Sequence, residues 1–141
     1  MTGSVTERVA EAIHDGWWIA MQARGYSLGP RDRENRTHPH LLPWSACGPD
    51  NNNQDRFEAA LVLHYLHGRE GTDPSVRPTD DEVAAQIHDA WVEYMMVEGR
   101  GDHPHAHHRW EDHDDAGRTE HLEQARQVLR VWEDRPWKTA E

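Results

Sequence analysis

The 141-residue sequence contains one cysteine, Cys47, one phenylalanine, Phe57, and one lysine, Lys138. A single cysteine excludes an intramolecular disulfide framework and a cysteine-based zinc cluster. Apolar residues are scarce, at 35%, and mean hydropathy is −1.01. No apolar run approaches the ~18–20 residues of a membrane-spanning helix, and the first residues show no signal-peptide pattern. The expectation is a soluble, cytoplasmic protein. Cations are also outnumbered, with 15 Lys and Arg against 26 Asp and Glu and a formal net charge of −11. That balance disfavours non-specific binding to DNA or to an anionic membrane. Such a composition is compatible with disorder. What runs against disorder is the presence of seven tryptophans, which a chain this polar keeps in order to build a small core or pocket.

The charge is divided unevenly. Residues 1–70 carry a net −2 and residues 71–141 a net −9. An anionic ligand therefore prefers the first half, and an acidic partner surface belongs to the second. Every cation but Lys138 is arginine, whose planar fork suits phosphate and carboxylate.

An internal repeat organises the chain. Ile13-His14-Asp15 returns as Ile87-His88-Asp89, and the same offset of 74 places Trp17 on Trp91, Met21 on Met95 and Gly25 on Gly99. His38-Pro39-His40 resembles His103-Pro104-His105, and Trp44 resembles Trp110. Gly25 and His38 are 13 positions apart, Gly99 and His103 only 4, so the second copy lacks nine residues of connecting loop. One compact domain is expected over 1–141, with repeat 1 at 4–69, an abbreviated repeat 2 at 79–135 and a linker at 70–78.

Four helices follow from the pattern. Ser4 and Glu7 form a capping-box spacing for a helix over Val5–Arg24, stopped by Gly25. Thr79 and Glu82 do the same for Asp80–Glu98, stopped by Gly99. The first has an apolar face of Val5, Val9, Ala12, Ile13, Gly16 and Ala20; the second has a stripe of Val83, Ile87, Trp91 and Met95. Amphipathic segments at Asp55–His67 and Thr119–Asp134 close the two copies. Phe57, Ala60, Leu61 and Tyr65 form the stripe of the one, ended by Gly68. Leu122, Ala125, Val128 or Leu129, and Trp132 form the stripe of the other, ended by Pro136. Between the helices of the first copy, Tyr26 to Asn53 is long, irregular and rich in Gly-Pro punctuation, a kind of loop that is uncommon unless it is functional. Short extended pieces are expected at Tyr26–Leu28 and Leu41–Trp44.

Ile13-His14-Asp15-Gly16-Trp17, Gly25-Tyr26-Ser27-Leu28-Gly29-Pro30, the charged loop Arg31 to Asn35, and His38-Pro39-His40-Leu41-Leu42-Pro43-Trp44 together resemble the ryanodine-receptor repeat (RyR) domain. The resemblance covers residues 5–67. The second copy, 80–134, keeps the helix and the His-Pro but lacks the Gly-Pro turn and the charged loop. The resemblance implies a tandem pair with pseudo-twofold symmetry, mainly α with a few short β-strands, of the stand-alone bacterial or phage kind. It further implies sensing of nucleotide-derived ligands, with an adenine-nucleotide pocket between the repeats, and no established catalysis.

Several residues are candidates for that chemistry. Trp17 and Trp91, at equivalent helix positions, could clamp a purine between two ring faces, or serve as core. Trp18 has Val92 at its equivalent position and points about 100° away from Trp17. One of the two must leave the main core face. Arg31, Arg33 and Arg36 lie within six residues and could engage phosphate oxygens, with Asp32 and Glu34 interleaved; a solvated loop laced with local ion pairs is the alternative. Arg24 and Arg100 are weaker candidates. Tyr26 rims the site. Pro39 restricts His38 to an extended conformation, so His38 either staples the loop or touches ligand. His103, His105, His107 and His108 form a histidine-rich loop able to take up a metal ion, although its spacing matches no established zinc motif. Catalytic patterns are absent: there is no P-loop, no G-x-G-x-x-G and no G-x-S-x-G. His-Asp neighbours on a helix do not face each other.

Three functions follow as expectations. The first is a non-catalytic ligand-binding, sensing or sequestering module for a nucleotide or its derivative, with no cofactor, no DNA and no membrane. The second is a protein-interaction module, a homodimer included, using the acidic second half. The third is metal binding by the loop at 103–113.

Overall fold

The structure, a computed structural model, describes residues 4–72, 77–99, 110 and 115–134. Among these residues it is mainly helical, with two very short strands. Helix α1 spans Val5–Ala23, strand β1 Ser27–Leu28, strand β2 Thr37–His38, helix α2 Pro49–Thr72, helix α3 Asp80–Val97 and helix α4 Asp115–Glu133. A single 3-10 turn at Trp44–Ala46 precedes α2. Helix α1 packs on α2 and α4, and α3 packs on the same two helices. That neighbour pattern is unchanged when α1 is exchanged for α3 and α2 for α4.

The helix ends obey local chemistry. Ser4 Oγ accepts the Glu7 amide at 3.2 Å and Thr79 Oγ1 accepts the Glu82 amide at 3.1 Å, each satisfying one orphan donor of a first turn. Gly25 ends α1 at φ +84°. Its amide bonds to the Gln22 carbonyl and the Tyr26 amide to that of Met21, both at 3.0 Å, which is the Schellman arrangement. Gly99 ends α3 at φ +71°. The glutamates of the two capping boxes are committed elsewhere. Glu7 binds Arg56 through Nε at 2.7 Å, and Glu82 binds Arg69 through Nε at 3.1 Å and the Tyr65 hydroxyl at 3.1 Å. Helix α2 is thus tied near its start to the beginning of α1 and near its end to the beginning of α3.

The core joins Val9 and Ile13 of α1, Val62 and Leu66 of α2, Val83 and Ile87 of α3, and Val128 and Leu129 of α4, with Trp44, Trp110 and Trp132 among them. Helices α1 and α4 run antiparallel and approach until backbones touch. A Cβ on Gly16 would lie 2.3 Å from Gln124 Cα. The buried Gln124 amide donates to the Ile13 carbonyl at 3.1 Å. Farther along, Arg24 lies 3.9 Å from Glu120.

Several expectations need correction. Helix α2 begins at Pro49 rather than Asp55, because proline suits the first helical position, where its missing N–H leaves no bond unmade. It continues through Gly68 to Thr72, its last turns held by the Arg69–Glu82 pair and by Thr72 Oγ1, which donates to the Gly68 and Arg69 carbonyls. The irregular stretch therefore ends at Gly48, and 70–72 is helix rather than linker. Helix α4 starts at Asp115, ahead of Thr119. The buried face of α2 is Asn52, Asp55, Glu58, Ala59, Val62, Leu63 and Leu66, whereas Ala60 and Leu61 are exposed and Phe57 and Tyr65 half-buried. The polar members concealed that face from a hydrophobic-periodicity reading. The strands pair in parallel, Ser27 with Thr37 and Leu28 with His38, and Leu41–Trp44 forms no strand. Arg100, Pro136 and the histidines at 103, 105, 107 and 108 lie outside the described residues.

Alanine at position 16 tests the α1–α4 approach by sign. On an open helix Gly16→Ala would stabilise by about 1 kcal/mol. Against the backbone of Gln124 it is expected to destabilise by about 1–3 kcal/mol, read as a lower urea midpoint. A raised midpoint would contradict the contact.

Candidate functional site

The first half gathers rings around α1 and the segment that follows β2. His38 stands edge-on to Trp17 at 4.8 Å between centroids and lies 5.4 Å from His40. His14, one turn before Trp17, lies 5.6 Å from it and 6.3 Å from Trp18. Trp17 and Trp18 are both half-buried, so neither is given up to solvent. His38 Nδ1 accepts the His40 amide at 3.1 Å, which favours an unprotonated ring. Burial, reinforced by Arg31 and then by His40 and His14, pushes the His38 pKa down to about 4. Burial and Arg31 lower His40 as well.

Beneath these rings lies a buried polar centre. His14 Nε2 donates to the Leu42 carbonyl at 2.6 Å, which fixes the loop to α1. Its Nδ1 faces Asp55 Oδ2 at 3.9 Å. Cys47 Sγ lies 3.8 Å from His14 Nε2, and Asn52 Nδ2 donates to the Cys47 carbonyl at 3.3 Å. Burial lowers the His14 pKa and raises that of Cys47, the latter with help from Asp55. Asp55 is pushed up to about 7 by burial, against the Trp44 N–H and Arg56, which pull it down. Glu58, fully buried beside Asp55, is raised well above the ordinary carboxyl range, chiefly by burial. Cys47, His14 and Asp55 have the residue types of a nucleophile relay but not its chemistry. The Nε2 that would take the thiol proton carries its own hydrogen toward Leu42. A thiol with a raised pKa in a buried setting is inert. Among the described residues, no group of three His, Cys, Asp or Glu side chains is placed to hold a metal ion.

The remaining candidates are distributed differently. Arg36, at φ +55°, donates from Nη1 to the Arg24 carbonyl at 2.7 Å and so caps α1. Tyr26 lies under the Arg24 guanidinium, 5.5 Å from its carbon. Asp32 is turned inward on its own loop, accepting the Asn35 amide at 3.1 Å and the Asn35 side chain at 2.7 Å. Arg33 is exposed. Trp91 belongs to a second ring cluster, stacked on His88 at 6.1 Å, with Trp110 and His121 beyond. Trp17 and Trp91 thus have separate ring neighbours among the described residues.

Sequence reasoning missed His40, Asn52, Asp55 and Glu58 in the first half, and His121 and Gln124 in the second. A signal was present. Asp55, Glu58, Ala59, Val62, Leu63 and Leu66 align with His121, Gln124, Ala125, Val128, Leu129 and Trp132 at a constant offset of 66, the offset that also joins Trp44 to Trp110.

The buried acids predict an unusual pH profile. Asp55 and Glu58 have folded pKa values above their unfolded ones, so their contribution is full below about pH 4 and is lost as pH rises through the folded values, about 7 for Asp55. His14, His38 and His40 have lowered values and cost stability as pH falls below about 6.5, down to about 4 for His38. Thermal melts are expected to peak between these limits. Glu58→Gln is expected to raise Tm relative to the parent increasingly from pH 5 to pH 8; a difference independent of pH would refute the buried-acid account. No family model matches this chain, and no curated protein matches it either.

Proposed function

We propose that this chain is a non-catalytic binding module of the ryanodine-receptor-repeat type that sequesters or reports a nucleotide or nucleotide-derived signal. The observation that carries the reading is the half-buried Trp17 ring with His38 edge-on to it at 4.8 Å. An aromatic face accepts a base, and such stacking is worth ~1–3 kcal/mol. Arg31 and the exposed Arg33 offer guanidinium forks for phosphate oxygens. Arg36 and Tyr26 have structural roles at the end of α1 and support the loop rather than the ligand. Trp18, half-buried, lies 6.3 Å from His14. In the wider form of the site a ligand spans to the second ring cluster, where Trp91 supplies another face. The inert thiol and the committed His14 Nε2 favour binding without turnover.

A thermal-shift series with AMP, ATP, ADP-ribose and cyclic dinucleotides at millimolar concentration tests this reading. A ligand present at a hundred times its Kd stabilises by about 2.7 kcal/mol. At least one nucleotide is expected to raise Tm, and the increment should vanish in Trp17→Ala and shrink in Arg31→Gln. Loss of the increment in Trp91→Ala as well selects the wider site. Absence of stabilisation by every nucleotide overturns the proposal.

A further inference from the structure

A second place in the molecule has the character of a ligand site and is independent of the Trp17 cluster. Between α1 and α4 runs an open groove of about 190 Å³, lined by Arg8, Glu11 and Asp15 from α1 and by Gln127 and Arg130 from α4. At ~30 Å³ per water it has room for about six. Four of the lining residues are charged, two of each sign. Among the described residues, no ion pair or side-chain hydrogen bond engages any of the four.

The arrangement is dipolar. Helices α1 and α4 are antiparallel, with Gly16 against Gln124 and Arg24 near Glu120. Arg130 therefore lies toward the Arg8 end, and Asp15 toward the Gln124 end. Arg8 and Asp15 are seven residues apart on one face, roughly 10 Å along the axis at 1.5 Å per residue. Glu11 and Asp15 are like charges at i and i+4, a spacing that destabilises a helix unless a cation intervenes. Burial, with Glu11 adding to it, raises the Asp15 pKa, the response of a carboxylate that lacks a cation. Arg8 precedes Glu11, the less favourable order for a pair within one helix.

We propose that this groove binds a small zwitterion of dipeptide size, its carboxylate against Arg8 and Arg130 and its ammonium between Glu11 and Asp15. A simple anion would meet the two carboxylates and a simple cation the two guanidinium groups. A molecule with both charges several ångströms apart satisfies both ends at once, and the Gln127 amide is available to its peptide group.

The test is amide chemical-shift titration of the full chain with glycylglycine. Two single-charge controls accompany it: glycylglycine amide, a cation, and N-acetyl-glycylglycine, an anion. Glycylglycine is expected to shift amides at 8–15 and 127–131 saturably, with each control at least about tenfold weaker, a difference of about 1.4 kcal/mol. Arg130→Gln and Asp15→Asn should each weaken glycylglycine by a similar factor and leave distant amides unmoved. Glu11→Gln carries the acidic arm should Asp15→Asn fail to fold. No saturable shift with glycylglycine, or equal binding by either control, overturns the proposal. Nucleotide binding at Trp17 is read separately, by the Trp17→Ala variant, so the two proposals fail independently.

Discussion

The close approach of α1 to α4 at Gly16 is the constraint on which the other helices depend. Where two backbones touch, side chains cannot adjust the spacing, so the position of α4 along α1 is set to within a fraction of a residue. Gln124 locks that position by donating to the Ile13 carbonyl. From this seam Ile13 and Val9 turn into the core on one side, and His14 and Trp17 turn toward the loop on the other. The same few residues of α1 therefore fix both the packing of the bundle and the floor of the candidate site. Helix α2 is held by different means. Its ion pairs with Glu7 and Glu82 are partly exposed and individually weak, but they act at its two ends and select its direction.

The interior is polar for so small a molecule. Asp55, Glu58 and His14 lie among apolar neighbours, and burial drives all three toward their uncharged forms. Among the described residues, the buried Asn52 Oδ1 has no hydrogen-bond partner. An unpaired buried polar group costs about 1–3 kcal/mol. The irregular segment from Leu41 to Gly48 is consequently secured at a few points, the Leu42 carbonyl by His14 and the Cys47 carbonyl by Asn52. The loop that presents His38 and His40 is thereby anchored to two helices.

Much of the fold was legible in the sequence because local rules and tertiary packing agreed there. The capping Ser4 and Thr79, the left-handed Gly25 and Gly99 and the 3.6-residue periodicity of α1 all point the same way. In helix α2 they disagree: Asp55 and Glu58 look like solvent residues and occupy the buried face, and Gly68 looks like a stop and sits within the helix. Tertiary ties such as Arg69–Glu82 decide these positions, and no local pattern encodes them. The candidate site was legible in part. Trp17 and His38 do meet, although 21 positions apart. Arg36 could not be told from Arg31 and Arg33 by residue type. Its role follows from a left-handed backbone that aims its guanidinium at the end of α1.

The parallel pairing of β1 with β2 has a consequence for how such a chain changes length. Ser27 and Thr37 are strand partners, and neighbouring strands lie about 4.8 Å apart. Consecutive Cα atoms along any chain are separated by about 3.8 Å. The path from residue 27 to residue 37 therefore makes almost no net travel. The nine residues 28–36 are a closed detour, folded on themselves through Asp32, Asn35 and the Asp32–Thr37 bridge. Excised as a cassette, they would leave an end-to-end join with the helices where they were. Nine residues is also the difference between the Gly25–His38 and Gly99–His103 spacings, so the charged loop can be gained or discarded as a unit without repacking the bundle.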